Sequence, residues 1–154
     1  LDHLPDTQLP GDYVIRNLRG EVDVAARVAA HRDAFAPSKM TEEKHRAVMA
    51  SPTYRPELDL IVEAPDGSVA AYCLVWLDDA NAHGVFEPVG CHSAHRRRGL
   101  TKEVVFEGMR RLRDRGARTA SVVSHTSSVA ANRLYASAGF TDADTVREWV
   151  KPLR

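Results

Sequence analysis

The chain has little of several features that often settle a protein's class early. Among its 154 residues there are only two cysteines, aromatic residues make up 6%, and 21 basic residues balance 21 acidic ones. Two cysteines cannot build a disulfide framework, balanced charge gives no general attraction for nucleic acid, and no apolar run is long enough to cross a membrane. We therefore expect a cytoplasmic chain with reduced thiols, and neither a membrane nor a nucleic-acid partner.

The first eleven residues differ in composition from the rest. They contain Pro5, Pro10 and Gly11 among polar residues, which is typical of a linker or tail. Residues 12–154 are long enough to bury a substantial core, so we expect them to form a single domain. Because the chain begins at Leu1 rather than Met, another interpretation stays open, in which it is one domain of a longer tandem protein.

Hydrophobic periodicity and turn residues predict an alternating series of elements. The predicted order is a strand at 13–18, helices at 22–35 and 41–49, strands at 58–64, 69–77 and 85–92, a helix from 100 to 115, a strand at 117–123, a helix around 132–135, and final strands around 140 and 145–150. This order favours a mixed α/β fold, in which a central sheet carries helices on both faces.

One segment, residues 91–101, joins a predicted strand to a helix with an apolar face and contains three consecutive arginines and Gly99. The first turn of a helix has free backbone N–H groups and a partial positive charge. Gly99 allows an oxyanion to approach the backbone, and the arginines add fixed charge. The glycine patterns of the Walker loop and of dinucleotide-binding loops are absent. The segment therefore predicts a phosphate site of another kind, with a solvated basic helix start as the alternative.

The spacing Arg96-x-x-Gly99-x-Thr101 resembles the Arg/Gln-x-x-Gly-x-Gly/Ala signature of the GCN5-related N-acetyltransferase superfamily. In that family the loop binds the pyrophosphate of acetyl-coenzyme A, and Thr101 stands where Gly or Ala is usual. A second segment, from Asn132 to Tyr135 and on to Gly139-Phe140, is similar to the family's later helix and follows in the family's order. The resemblance implies an acetyltransferase-like sheet that is mixed, mostly antiparallel, and has splayed central strands.

The resemblance also implies that acetyl-coenzyme A is a co-substrate and lies along the strand at 85–92. Pro88 and Gly90 within that strand predict a bulge, which would free backbone groups beside the coenzyme; an irregular strand at a sheet edge is the alternative. The residues expected to bind the coenzyme are Val89, Gly90, Cys91, Arg96, Arg97, Arg98, Gly99, Leu100, Thr101, Asn132 and Tyr135. No metal is expected, because His92 and His95 lack the further ligands that a zinc site needs.

Acetyl transfer to an amine needs a group that accepts the amine proton and one that protonates the leaving thiolate. Glu87 is the candidate base, on the expectation that Val85 and Val89 share its face, and burial there would raise its pKa. Tyr135 is the candidate acid, because the family often has a tyrosine near the coenzyme sulfur at this position. The alternatives are a surface carboxylate for Glu87 and a core aromatic residue for Tyr135.

We therefore expect an acetyl-coenzyme A-dependent N-acetyltransferase, in which a primary amine of a small molecule or peptide attacks the thioester directly in a ternary complex. The resemblance places part of acceptor binding in the loop at 35–38. The first alternative is a non-catalytic acyl-coenzyme A-binding domain of a larger protein, and the second is a basic RNA-binding domain. A homodimer or a second domain is left open.

Overall fold

The computed structural model describes residues 4–147 and 149–152. Within them, one sheet has its five strands in the order β1–β2–β3–β4–β5, accompanied by four α-helices. The elements are β1 (Val14–Asn17), α1 (Glu21–Ala34), α2 (Glu42–Met49), β2 (Asp59–Glu63), β3 (Val69–Asp78), β4 (His83–Cys91), α3 (Leu100–Asp114), β5 (Thr119–Val122) and α4 (Val129–Ser137).

The first four strands pair with their neighbours in antiparallel fashion, whereas β5 runs parallel to β4. A parallel pair requires a crossover connection, and α3 supplies it. The structure therefore confirms the predicted mixed, mostly antiparallel sheet. Among the helices of the described ranges, none combines the length and apolar character needed to cross a membrane.

The two faces of the sheet bury different sets of apolar side chains. On the α3 face, Leu60, Val75 and Phe86 belong to a large cluster that also holds the apolar residues of α3. On the opposite face, which we call the α1 face, a smaller cluster joins Ile61 and Tyr72 to residues of α1. Helices on both faces were predicted, and this arrangement is confirmed.

Close packing of α3 on the sheet depends on a glycine in the helix. A Cβ added at Gly108 would lie 2.6 Å from the ring of Phe86 on β4. Real Cβ contacts essentially never approach so closely, so a side chain here would push the helix away from the strand. Because Gly108 has no side chain, α3 can pack closely against β4. The helix begins at Leu100, shortly after β4 ends at Cys91.

The predicted strands around Phe140 and at 145–150 are wrong for the described residues. Positions 140–147 and 149–150 have no strand structure, and position 148 lies outside the described residues. The alternation of apolar residues suggested a strand, but Val146, Trp149 and Val150 are 77–88% exposed. An apolar pattern gives a strand only where a neighbouring strand and a packed face receive it.

The described part of the first eleven residues has neither helix nor strand and lies along α3. Leu4 and Leu9 pack against the α3-face cluster, and the backbone N–H of Gln8 donates to Glu103 at 2.9 Å. Arg110 of α3 donates to the carbonyl of Pro5 at 2.7 Å. The division into a tail and a domain at residue 12 stays a prediction.

Candidate active site

The segment between β4 and α3 has the geometry of an anion-binding loop. A short 3₁₀ turn at Ser93–His95 follows β4, and Gly99 then takes a left-handed conformation, φ 79°, directly before α3. Along the start of the helix, Lys102 is the first residue whose backbone N–H has a hydrogen-bond acceptor, the Gly99 carbonyl at 3.0 Å. Within the part of the chain that the structure describes, the N–H groups of residues 97–101 donate to nothing. Such free amides at a helix N-terminus attract phosphate groups.

The three arginines of this loop are exposed, and one of them is held from the side. Arg98 donates from Nη1 to the hydroxyl of Tyr13 at 3.0 Å. That hydroxyl also lies 2.9 Å from Nδ1 of His95, whose Nε2 is 3.4 Å from the hydroxyl of Ser68 in the β2–β3 turn. This set of contacts fixes one edge of the loop, while the exposed side chains of Arg96 and Arg97 can reach an anion.

A second contact fixes the start of the loop to α1. The carboxylate of Asp33 accepts hydrogen bonds from the backbone N–H and the hydroxyl of Ser93. These bonds, the backbone one first, lower the pKa of Asp33. The last turn of α1 therefore contacts the same loop whose later residues carry the free amides.

The central strands separate beside this loop. Pairing between β4 and β5 extends only from His83 to Phe86, so residues 87–91, which we call the open edge of β4, have no strand beside them on that side in the described ranges. On the other side, Cys73 of β3 pairs with Val89 and Val75 pairs with Phe86. Glu87 and Pro88 thus face a single β3 residue, which is the bulge that the sequence predicted.

The bulge changes which side chains share a face. Phe86 and Val89 both pack into the α3-face cluster, whereas Gly90 lies against Tyr72 on the α1 face. The expectation that Val85, Glu87 and Val89 share one face is therefore wrong for Val89, because an extra residue reverses the alternation of a strand.

Glu87, the candidate base, lies on the α1 face two residues from Val85. Its side chain is exposed, and its backbone carbonyl accepts a hydrogen bond from the indole N–H of Trp76 at 2.8 Å. That bond fixes the backbone at the bulge. Because the residue is exposed, its carboxylate is accessible to an incoming amine.

Tyr135, the candidate acid, lies half-buried on α4. Its ring packs edge-on against Phe140, with centroids 5.9 Å apart, and Phe140 packs in the same way on Phe86 of β4 at 6.0 Å. Burial, with a smaller effect from nearby Cys73, raises the pKa of Tyr135. The phenol is therefore protonated at neutral pH, as a proton donor must be.

Asn132 is tied to the loop that precedes its own helix. Its Oδ1 accepts from the hydroxyl of Ser124 at 2.6 Å, and its Nδ2 donates to the carbonyls of His125 and Thr126 at 3.3 and 3.1 Å. Since both polar atoms are used, the side chain shapes the loop between β5 and α4. A direct contact with a coenzyme stays a prediction that the structure does not require.

Two further predicted site residues, Leu100 and Cys91, have side chains that are buried or half-buried and uncharged. Leu100 is 1% exposed and anchors the start of α3 in the core, so only its backbone N–H can face a ligand. Cys91 is half-buried, and burial raises the pKa of its thiol. Cys73 and Cys91 are both free, and neither has the depressed pKa of a nucleophilic thiol.

Sequence reasoning missed a cluster of buried and half-buried polar side chains on the α1 face. It comprises Arg27, His31, His45, Tyr54, Asp59 and Tyr72. One signal was present: Arg27 and His31 lie one turn apart on the apolar face of α1, where charged residues are rare unless paired. In the described ranges there is no group of three His, Cys, Asp or Glu residues that could hold a metal ion.

The basic run along α3 is largely neutralised by neighbouring carboxylates. Arg110 and Arg111 both pair with Glu107, and Arg115 pairs with Glu57. A nucleic-acid-binding face needs cations that are free to meet phosphates. The arrangement therefore gives no support to the RNA-binding alternative.

The sheet thus opens between β4 and β5 beyond Phe86, beside a helix start whose amides are free in the described residues. Such an arrangement suits an extended ligand that carries phosphate groups. The profile of the Acetyltransferase (GNAT) family matches residues 26–140. The chain belongs to this family, and the resemblance seen in the sequence is confirmed.

Individual proteins of the family are similar over almost the whole chain. The mycothiol acetyltransferase of Kineococcus radiotolerans is 32% identical over 149 residues, which cover 94% of this chain and 48% of that protein. The crystal structure of a GCN5-related N-acetyltransferase from Sphaerobacter thermophilus has a TM-score of 0.78 and 27% identity, covering 90% of this chain and 44% of that one. The chain thus spans about half the length of both relatives.

A third structure shares the fold at lower identity. It is AAC(6')-Iy in complex with the bisubstrate analog CoA-S-monomethyl-acetylneamine, with a TM-score of 0.74 and 14% identity over 93% of this chain and 100% of that one.

Proposed function

We propose that the chain transfers the acetyl group of acetyl-coenzyme A to a primary amine of a small molecule. One observation carries this proposal: the free amides of residues 97–101 lie just beyond the open edge of β4. A ligand with a diphosphate at one end and an amide-rich arm at the other matches both features. The names of the mycothiol acetyltransferase and of the bisubstrate complex support an acetyl donor of this kind.

The loop and the strand would bind different parts of the coenzyme. Amides 97–101 and the side chains of Arg96 and Arg97 would hold the diphosphate, since backbone donors and fixed positive charge favour it. The open edge of β4 offers its outward backbone groups to the amides of the pantetheine arm. The thioester then lies near the bulge, where amides close to Val89 and Cys91 would polarise its carbonyl.

Glu87 lies on the α1 face of β4, whereas Tyr135 packs through Phe140 on Phe86 of the α3 face, so the two would approach the thioester from opposite sides. Glu87 would accept the proton of the acceptor ammonium, directly or through a water molecule, and leave a neutral amine. The amine nitrogen then bonds to the carbonyl carbon and releases its second proton to water, and the bond from that carbon to sulfur breaks. Tyr135 donates its proton to the leaving sulfur and regains a proton from solvent after the thiol departs. The raised pKa of Tyr135 keeps that proton in place until the thiolate forms.

The acceptor would approach from the α1 face, where Glu87 is exposed. Trp76 lies beside it on β3, and Phe35, 46% exposed, follows the end of α1. These two aromatic residues suit a compact acceptor with an apolar side, such as the ring of an amino sugar. The acceptors named for the relatives belong to those proteins, and a small-molecule amine is the common chemistry that we carry over.

The decisive experiment is an amine panel assayed for thiol release from acetyl-coenzyme A. The panel should contain amino sugars, aminoglycosides, peptides with free N-termini and lysine peptides, with coenzyme affinity measured separately by calorimetry. We expect turnover with amino-sugar amines above the rate of a Glu87→Gln, Tyr135→Phe double variant. Tight coenzyme binding without release of thiol for any amine would contradict the proposal and favour the acyl-coenzyme A-binding alternative.

A further inference from the structure

Directly behind the open edge of β4, on the α1 face, a tyrosine hydroxyl presses against the strand. We infer that Tyr72 and His31 are positioning residues for acetyl transfer: the hydroxyl of Tyr72, held by His31, fixes the bulged part of β4 at Gly90. This inference rests on the proposed function, because the segment it concerns is the one that would hold the thioester.

The contact between Tyr72 and Gly90 is direct. The two residues are partners in the register of β3 and β4, and Tyr72 has no exposed surface. A Cβ added at Gly90 would collide with the hydroxyl and with ring atoms of Tyr72. Glycine is needed here for space, because the phenol fills the volume that a side chain would occupy. Any shift of the phenol therefore shifts the backbone of the open edge.

Two polar side chains hold the phenol. Its oxygen lies 3.1 Å from Nδ1 of His31, and the guanidinium carbon of Arg27 lies 3.4 Å from the centre of its ring. Arg27 is 3.9 Å from Asp59, which accepts a hydrogen bond from the hydroxyl of Tyr54 at 3.0 Å. The polar contacts thus run from β2 through α1 to β3 and end at β4.

Stability alone gives a poor reason for this cluster. Arg27 and Asp59 are 1% and 0% exposed, and Nε of Arg27 and Oδ1 of Asp59 have no hydrogen-bond partner in the described structure. A buried ion pair with unsatisfied atoms is often no better for stability than apolar side chains of the same volume. The two members in contact with the Tyr72 phenol, Arg27 and His31, do, however, hold it against Gly90.

The protonation states decide the direction of the bond between Tyr72 and His31. Burial raises the pKa of Tyr72 to about 12, and burial followed by the charge of Arg27 lowers the pKa of His31. Tyr72 is therefore the donor, and the neutral His31 accepts at Nδ1. The charged or titratable groups around this pair are Arg27 on the same helix, His45 on α2, Asp59 on β2 and Cys91 on β4. A proton on His31 would remove the acceptor and place a second cation beside Arg27.

His31 also lies close to the contact that holds the phosphate loop. Asp33, two residues later in the last turn of α1, receives both hydrogen bonds of Ser93. The same helical turn thus sets the position of the open edge through Tyr72 and the position of the loop through Ser93. Loosening the first contact should disturb the thioester end of the site and leave the diphosphate end in place.

The test compares three variants in steady-state kinetics, with acetyl-coenzyme A and the best amine of the panel. In Tyr72→Phe the ring stays and the hydroxyl is lost, so kcat should fall by about 10- to 100-fold, the range expected for a small misplacement of reacting groups. The dissociation constant of coenzyme A should stay within about twofold, since the diphosphate contacts are unchanged. His31→Asn keeps an acceptor oxygen near the Nδ1 position and should retain most of the rate. Tyr54→Phe removes the half-buried hydroxyl that is bonded to Asp59 and serves as the matched control.

The pH profile separates positioning from a loss of stability. Because burial, and then the charge of Arg27, lower the pKa of His31, the wild type should lose kcat at a pH below the usual titration range of histidine, as His31 gains its proton. Tyr54→Phe should show the same loss even if it is less stable. His31→Asn has no group to titrate there, so its profile should lack that loss. His31→Asn provides this readout at a half-exposed position even if Tyr72→Phe fails to fold.

An unchanged kcat in folded Tyr72→Phe, or an acid loss in His31→Asn equal to that of the wild type, would overturn the inference alone. No turnover of any amine by the wild type would overturn the proposed function and the inference together.

Discussion

Two regions around β4 differ in the groups that they present. On the side of β5, backbone groups are left free by the end of strand pairing at Phe86 and by the turn at Gly99. On the α1 face, side chains from α1, β2 and β3 meet in a buried polar cluster that presses on Gly90. The comparison teaches that coenzyme binding should depend on backbone conformation, whereas the placement of the reacting carbonyl should depend on distant side chains.

The largest expected effect is on the chemical step. Tyr135→Phe keeps the ring that packs on Phe140 and removes the proton donor, so kcat should fall by about 100- to 10,000-fold. Coenzyme affinity, measured by calorimetry, should stay level because the diphosphate contacts lie elsewhere. Equal turnover of variant and wild type would assign Tyr135 to packing.

The next effect tests the backbone side of the comparison. Gly99→Glu adds a carboxylate at the helix start and strains a left-handed residue, so the dissociation constant of coenzyme A should rise about 100-fold, equivalent to about 2.7 kcal/mol.

Gly116→Glu is the matched control for this prediction. Gly116 also has a left-handed φ, 86° against 79° for Gly99, and an added Cβ meets nothing within 4 Å at either residue. It lies at the other end of α3, so the variant carries the same strain without the repulsion. An unchanged affinity for coenzyme A in folded Gly99→Glu, or an equal loss of affinity in the two variants, would contradict the binding of the diphosphate at this loop.

A smaller effect is expected at the candidate base. Because the side chain of Glu87 is exposed, water can replace it in part, and Glu87→Gln should lower kcat/KM by about 10- to 100-fold. The rise of kcat/KM with pH should move towards the pKa of the acceptor amine, and coenzyme affinity should barely change. Full activity with an unaltered profile would identify Glu87 as a surface carboxylate.

The smallest effect concerns stability on the α1 face. Burial lowers the pKa of His45 from 6.5 to about 4, and its side chain has an unsatisfied Nε2. The unfolded chain gains this proton below about pH 6.5 and the folded chain only near pH 4. Stability due to the neutral ring is therefore complete above pH 6.5 and is lost as the pH falls towards 4, by on the order of 2 kcal/mol.

Denaturant unfolding of His45→Leu at pH 7 and pH 4.5 checks this prediction. The variant should lose less stability between the two pH values than the wild type. His125→Gln, a change at an exposed histidine, is the control and should behave like the wild type. If His45→Leu lost as much stability between pH 7 and pH 4.5 as the wild type does, the group responsible for the loss would be another residue.

The sequence predicted the features that depend on neighbouring residues. The loop between β4 and α3 is one, because a strand end, arginines, Gly99 and an amphipathic helix follow one another within a few positions. That this loop binds phosphate stays a prediction. The bulge at Pro88 is another, since proline cannot supply a ladder hydrogen bond. The order of elements likewise sufficed for the mixed sheet with helices on both faces.

The features that failed or were missed depend on residues far apart in the chain. The face of Val89 was wrong because the length of the bulge is set by pairing with β3. The final strands were wrong because an apolar alternation does not say whether a sheet edge will receive it. The contact of Tyr72 with His31 joins residues 41 positions apart, and no local pattern announces it.

The early end of pairing between β4 and β5 has a consequence for hydrogen exchange. Strand amides are protected when a neighbour occupies their hydrogen-bonding side, and the outward amides of residues 87–91 have no strand there. In the free protein they should exchange as those of an outer strand do, although they belong to the middle of the sheet. A ligand that fills the gap would protect these amides as β5 protects those of residues 83–86. The slower exchange of each amide would then show which residues of the open edge contact the ligand.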